Sequence, residues 1–376
     1  MKLRKYSASI VFLAFLLVIA VLFCALPKSA FSENEKRVLS DFPDITLESV
    51  ADGSFGSKLE TYLADQFPLR DLFVGIYSYT RLALGQNGVS GIYRGDDGYL
   101  IPAPEALNEA LAARNVQRLA LFAENAGLPA SIMVVPNTGY VMEEKLPGNH
   151  ENYPDDAIFQ IVAANCGDLQ LIDLRESFLA AKEQTQLYYK TDHHLTSAGS
   201  YLMYQQFCQQ QGMEAENFSC TQISDGFYGT GYSQSGLWLE KPDVLEIWKS
   251  ETPSACTATI TEGNSAETAD TLYFTEHLKK MDQYPVFLDG NHSVVTVENQ
   301  DCQNGKHLLL LKDSYAHCFA TFAIENYESI TMVDMRYYRG SVHELIATHG
   351  STEILYLYGA ENLSTSTDIA WLMTEK

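Results

Sequence analysis

The sequence is short of positive charge. Lysine and arginine number 25 against 48 acidic residues, a formal net charge of −23 over 376 residues. No basic stripe breaks the acidic excess, so the chain has no electrostatic footprint for a nucleic-acid partner. The same excess repels a polyanionic substrate at long range and leaves neutral glycans unaffected. None of the seven cysteines forms a CxxC pair, which removes support for a zinc site. Internal repeats and a low-complexity tail are also missing. What is present is an ordinary globular composition, 46% hydrophobic, in a chain able to bury one large core or two modest ones.

Charge is absent altogether from Ser7 to Leu26, close to the ~20 apolar residues that span a bilayer. The basic tip Met1-Lys2-Leu3-Arg4-Lys5 precedes this run. By the positive-inside tendency Lys2, Arg4 and Lys5 lie in the cytoplasm and everything after Pro27 lies outside. A cleaved signal peptide, giving a secreted protein, is the competing reading, but Lys28 makes a poor small-residue cleavage site before Ala30. Phe23 before Cys24 argues against a lipoprotein signal. The other cysteines, Cys166, Cys208, Cys220, Cys256, Cys302 and Cys318, are even in number, and both disulfides and buried thiols fit them.

Three regions are expected: a tip and membrane anchor over 1–27, a stalk and N-terminal helical region over 28–90, and a catalytic-type domain over 91–376. Within the last, helical patterns alternate with apolar strands at 130–136, 169–173, 307–311, 330–333 and 354–358. This alternation predicts an α/β fold with a mostly parallel sheet covered on both faces. A segment from about 214 to 304, rich in Gly, Ser, Thr and Tyr, breaks the pattern and reads as a β-rich insertion with long loops.

Two short stretches carry chemistry. In Thr191-Asp192-His193-His194-Leu195-Thr196 an extended backbone puts Asp192 and His194 on one side, so the carboxylate can orient the ring while His193 points away. In Leu308 to Ala320 an apolar strand turns at Lys312-Asp313 and opens a helix at Ser314. There the free N–H groups and the helix dipole suit an oxyanion. A serine needs a base, and His194 held by Asp192 is one. Plainer readings stand beside this. Ser314 fits an N-cap, and Asp192 and His194 fit a loop before a helix capped by Thr196 and stopped by Gly212. Asp192, His193 and His194 also offer metal ligands, yet consecutive ligands rarely converge on one ion and no second Asp/His cluster is evident. No metal and no cofactor is therefore expected, and His307 and His317 read as surface or core histidines.

Taken together, Thr191 to Thr196, Phe227-Tyr228-Gly229-Thr230 and Lys312-Asp313-Ser314-Tyr315-Ala316 resemble the DHHW family. Three earlier segments agree: Glu33-Asn34-Glu35-Lys36-Arg37, Asp65-Gln66-Phe67-Pro68-Leu69-Arg70 and Gly95-Asp96-Asp97-Gly98-Tyr99-Leu100. That family is similar in turn to the SGNH-hydrolase-like alginate O-acetyltransferases. The resemblance implies a three-layer α/β/α sandwich with Ser314 as nucleophile, His194 as base and Asp192 as its orienter. Leu195 departs from the family's tryptophan. Asn137 is a candidate for the oxyanion hole, and Tyr315 and Arg336 are candidate substrate contacts. The implied activity is extracytoplasmic O-acetyl transfer to a cell-surface or secreted polysaccharide, with a membrane partner that exports acetyl groups. An acetyl esterase and a non-catalytic glycan-binding or envelope-assembly protein are the alternatives.

Overall fold

The computed structural model describes residues 6–374; the basic residues Lys2, Arg4 and Lys5 lie outside the described residues. Helix α1 (Ser7–Ala25) carries the uncharged run, and none of its residues is buried. Its 19 residues make it long and apolar enough to cross a membrane, as an anchor or as a signal sequence. The remaining chain separates into two compact units.

The first unit comprises the residues up to Val89 together with Ser233–Leu239. It contains α2 (Ser54–Asp65) and α3 (Arg70–Ala83). Arg37 donates to both oxygens of buried Asp65, at 2.5 and 3.1 Å, and Glu35 pairs with Arg70. Gln66 donates to the carbonyls of Ser29 and Ser40. The two N-terminal segments quoted for the resemblance are thus opposite halves of one ion-pair network. Hydrogen bonding to Arg37 holds the Asp65 carboxyl down at about 2.

The second unit, Ser90–Tyr232 with the chain from Glu240 onward, is built on one eight-stranded sheet. Its principal elements are α4 (Glu109–Ala126), β1 (Ala130–Val135), α5 (Asp155–Asn165), β2 (Gln170–Asp173) and α6 (Ser197–Gln211). They continue as β3 (Phe218–Phe227), β4 (Asp243–Ser250), β5 (Cys256–Glu262), β6 (Ser265–Ala269), β7 (Val294–Asn299) and β8 (His307–Lys312). The last are α7 (Ala316–Ala323), β9 (Ser329–Val333), α8 (Val342–His349), β10 (Glu353–Gly359) and α9 (Ala360–Thr365). The sheet order is β6-β5-β7-β9-β8-β10-β1-β2.

The sheet is mixed, which corrects the expectation of a mostly parallel one. Strands β9, β8, β10, β1 and β2 run parallel, and these are the five apolar runs read from the sequence. Strands β7, β5 and β6 add an antiparallel flank, all from the segment read as an insertion. The β5–β6 hairpin closes at Glu262↔Ser265 around Gly263, whose φ of +58° suits a tight turn. The polar run near Thr261 to Asp270 is therefore a strand pair extending the main sheet. The β3–β4 ribbon stays separate from it.

Two apolar cores lie on the two faces of the sheet. Leu308 and Leu310 point to a core shared with Met203, Tyr204 and Phe207 of α6 and Phe319 of α7. Leu309 and Leu311 point to the other, with Val116 and Leu119 of α4 and Ile158 and Phe159 of α5. All four leucines of β8 are at most 1% exposed, each contributing roughly 1.5–3 kcal/mol. A strand held this firmly is a rigid base for the turn that follows it. The seven cysteines are all free thiols.

Candidate active site

Ser314 leaves the end of β8 and precedes α7 on a turn that its neighbours pin in place. The Asp313 N–H donates to the Leu357 carbonyl, and the Asp313 carboxylate accepts from the N–H groups of Tyr315 and Gly359 and from Asn362 Nδ2. Gly359 has to be glycine, because a Cβ there would sit 2.7 Å from the Tyr315 ring. The Ser314 N–H has no acceptor among the described residues. It is available at the start of a helix, where a developing negative charge is best received.

Asp192 and His194 arrive on the loop before α6. The side chain of Asp243, at the start of β4, accepts the Lys190 and Thr191 N–H groups and the Thr191 hydroxyl, so the approach to the loop is tied down. Burial pushes the Asp243 carboxyl up, against the pull of those donors. His194 Nδ1–H donates to Asp192 Oδ1 at 2.5 Å, and the Ser314 hydroxyl lies 2.8 Å from His194 Nε2. The three side chains, separated by about 120 residues along the chain, form one continuous hydrogen-bonded line. Asp192, His194 and Ser314 are 2%, 6% and 7% exposed, so the line is almost dry.

The rest of Asp192 is also committed. Oδ1 accepts the His194 N–H at 2.9 Å, and Oδ2 accepts the N–H and the hydroxyl of Thr230. With four acceptor sites filled, the carboxylate stays oriented. Gly229 admits this approach, since a Cβ there would lie 2.1 Å from the Asp192 Cβ. The ligand atoms of Asp192, His193 and His194 do lie within 4.8 Å of one another. The same four donors that orient the carboxylate compete with any ion there. His193 does not point away as the sequence suggested: its Nδ1 lies 2.8 Å from the Thr230 hydroxyl and 3.9 Å from Asp192 Oδ1, and its ring is 4.0 Å from that of His194.

Aromatic rings frame His194. Tyr284 stacks on His194 at 3.9 Å with 13° between planes, and Tyr315 meets it edge-on at 5.7 Å. Burial pushes both phenols well above their ordinary value, so they remain neutral. The Tyr315 hydroxyl donates to the His193 carbonyl. Behind the serine turn, Lys312 Nζ lies 2.7 Å from His317 Nε2 and 3.1 Å from Asp334, all fully buried. Desolvation lowers Lys312 and takes His317 well below its usual range. Asp334 is held low despite its burial, because Arg336 and Lys312 flank it. Cys318, one turn from Ser314, has its thiol pushed up to about 12 by burial and is no rival nucleophile.

Two family models match the chain. Residues 157–333 match the DHHW protein family. A second match, to the SGNH hydrolase-like domain of the acetyltransferase AlgX, covers residues 92–218. The DHHW match contains Asp192, His194 and Ser314 together. "Probable alginate O-acetylase AlgJ" of Pseudomonas syringae pv. tomato is 25% identical over 179 residues, 45% of this chain and 46% of that protein. The match thus spans less than half of that relative's length. Among solved structures, a DHHW family protein from Eubacterium siraeum aligns with a TM-score of 0.64 at 20% identity, covering 76% of this chain and 96% of that one. Bacillus cereus PatB1, solved with a sulfonyl adduct, aligns at 0.63 and 18% identity over 74% and 97%. These two likenesses concern the fold.

Leu195, where the resemblance implies tryptophan, is buried at 1% exposure. The ring stacked on His194 is that of Tyr284. The three residues expected around the substrate lie as follows. Asn137 follows β1 and donates through its backbone N–H and Nδ2 to buried Asp155. Arg336 is engaged by Asp334 and by Asn291. Tyr315 braces the His193 carbonyl. Sequence reasoning missed Thr230, Asp243 and Tyr284 as parts of the site, although Thr230 stood in a quoted motif.

Proposed function

We propose that this chain is a serine-dependent O-acetyltransferase acting outside the cytoplasm, with a polysaccharide as acceptor. The observation that carries it is the line Ser314–His194–Asp192 at 2.8 and 2.5 Å. Ser314 Oγ attacks the carbonyl carbon of an acetyl donor while His194 Nε2 takes its proton. The oxyanion forms beside the Ser314 N–H, and Asp192 stays ionised and steadies the imidazolium. Collapse returns the proton to the leaving group and leaves an acetyl ester on Ser314. A sugar hydroxyl then gives its proton to His194 and takes the acetyl group, restoring the serine. With water as acceptor the same cycle is an esterase, and only acceptor binding separates the two.

Two relatives named as acetylating enzymes, AlgJ and AlgX, support acetyl as the group moved. The net charge of −23 favours a neutral glycan over a polyanion such as alginate. Helix α1 fits an uncleaved anchor, and an acetyl-exporting membrane partner would supply the donor. In this reading Asn137, Tyr315 and Arg336 act through Asp155, His193 and Asp334, to which their polar atoms are turned. The test uses the full chain in detergent micelles with an acetyl-ester reporter. Ser314→Ala is expected to lose at least a thousandfold in turnover. Mass spectrometry is expected to find an acetyl group on Ser314 of the parent protein. Turnover that survives the substitution would remove Ser314 from the mechanism, and an absence of turnover and label would favour the glycan-binding reading.

A further inference from the structure

Helix α3 of the first unit is amphipathic the wrong way round. Its inner face is made of small residues: a Cβ on buried Gly75 would lie 2.9 Å from Trp238 Cδ1, and the hydroxyl of buried Ser78 donates to the Ser235 carbonyl at 2.7 Å. Its outer face carries Leu72, Phe73, Ile76 and Tyr77, with Leu69 and Leu84 at the two ends, and these six are between 36% and 77% exposed. At about 100° per residue the four helical positions fall in one stripe about 140° wide. No acidic or basic residue lies inside that stripe, in a chain that carries 48 acidic residues. A contiguous apolar face left open in this way marks an interaction surface.

Contacts within the same unit tie α3 to the place where the chain leaves α1. Ser29 lies four residues beyond the end of α1, a stretch that spans at most ~14 Å. Its N–H donates to Gln66 Oε1 and its carbonyl accepts from Gln66 Nε2, at 3.1 and 2.9 Å. Gln66 is four residues before Arg70, where α3 begins, and Asn34 Nδ2 donates to Asp71 Oδ2 in the first turn. Apolar surface follows the same route. Phe23 in the last turn of α1 meets Tyr62 edge-on at 6.0 Å, and the exposed ring of Phe42 meets Tyr62 at 5.4 Å. Phe67, next to Gln66, meets Phe73 of the outer face at 5.5 Å.

We infer that the outer face of α3 docks on the surface of the lipid bilayer that α1 crosses, with Leu72, Phe73, Ile76 and Tyr77 seated at the boundary between headgroups and acyl chains. The inference rests on the reading of α1 as an uncleaved anchor and stands whether or not Ser314 is a nucleophile. An anchored α1 holds α3 beside lipid at a high effective concentration, whereas a protein partner has to diffuse to it. A net charge of −23 gives no attraction to anionic headgroups. Docking is therefore driven by apolar burial, works on neutral lipid and is insensitive to salt. Tyr77 suits the interface, with its ring toward the acyl chains and its hydroxyl among the headgroups. The first unit is then attached at two points, the anchor and the helix face, and rests on the membrane instead of standing off it on a stalk.

The test reconstitutes the full chain into phosphatidylcholine vesicles with an environment-sensitive fluorescent amino acid encoded in place of Ile76. Its emission is expected to be blue-shifted, to fall by about twofold or more when the acyl chains are brominated, and to stay the same between ~0.01 M and ~0.5 M salt. Adding Leu72→Asp and Tyr77→Asp to the labelled chain is expected to return the emission to its value in water and abolish most of the quenching. Both positions are exposed, so the far-ultraviolet dichroism should not change, and the vesicles should still carry the protein on flotation because α1 is untouched. A labelled chain that does not float with the vesicles would overturn the anchor and the docking together. A chain that floats with its probe in a water-like environment would overturn the docking alone. A blue-shifted probe that brominated lipid leaves unquenched would assign the face to a second copy or another protein surface and would equally overturn it.

Discussion

Thr230 shows how much of the site rests on single hydrogen bonds. Its N–H and hydroxyl both reach Asp192 Oδ2, at 2.7 and 3.1 Å, while Oδ1 serves His194. Removing the hydroxyl frees one acceptor site on a carboxylate that is 2% exposed. A hydrogen bond to a charged group is worth roughly 1.5–3 kcal/mol, so Thr230→Val holds Asp192 less firmly against the His194 ring, with the Thr230 N–H left alone on Oδ2. The expected result is a fall of about ten- to a hundredfold in kcat on the reporter ester with KM little changed, since the valine touches no substrate. The measurement is steady-state kinetics beside Thr230→Ser, which keeps the hydroxyl and should restore most of the rate. Equal losses in valine and serine variants would mean that the residue acts through its shape alone.

At the level of elements, the ion-pair network that closes on the end of α2 invites a pH test. Asp65 sits at about 2 in the folded chain because of Arg37, against ~3.9 in an unfolded one. Between those values the unfolded state binds more protons, so stability rises with pH across that window. The contribution is fully present above pH ~4 and is lost as pH falls toward 2. Asp65→Asn should therefore unfold at a lower temperature than the parent near neutral pH, and calorimetric scans should show the gap closing as pH drops below ~4. A gap that stays constant with pH would assign the loss to packing. The same scale explains what was legible beforehand. The parallel strands β9, β8, β10, β1 and β2 are continuous apolar runs because both faces are covered, and the helices between them show their caps, as with Thr196 and Gly212 around α6. Strands β5 and β6 are polar and largely open, with β6 mostly exposed, so hydrophobic patterning had no purchase on them. At the site, Asp192 and His194 were readable because they are two residues apart and Ser314 because it sits at a strand-to-helix bend. Thr230, Asp243 and Tyr284 depend on contacts between distant segments, which spacing does not encode.

On the proposed function, the acidic excess of the whole molecule bears on which acceptors can approach. A net charge of −23 sets up a field that reaches about 30 Å at 0.01 M salt and about 8 Å at 0.15 M. A neutral sugar chain feels none of it, whereas a polyuronate is repelled in proportion to its length and only while salt is low. Acetyl transfer to a neutral glycan should therefore change less than about twofold between these two salt concentrations. Transfer to a polyuronate of equal length should begin lower and rise severalfold as the field is screened. The assay is release of labelled acetyl from the product polymer after transfer by the full chain, run with Ser314→Ala as the blank. Equal rates on both polymers at 0.01 M salt would show that the acceptor path is shielded from the bulk charge. In that case acceptor choice would rest on the residues lining the approach to Ser314, and global charge would set only solubility.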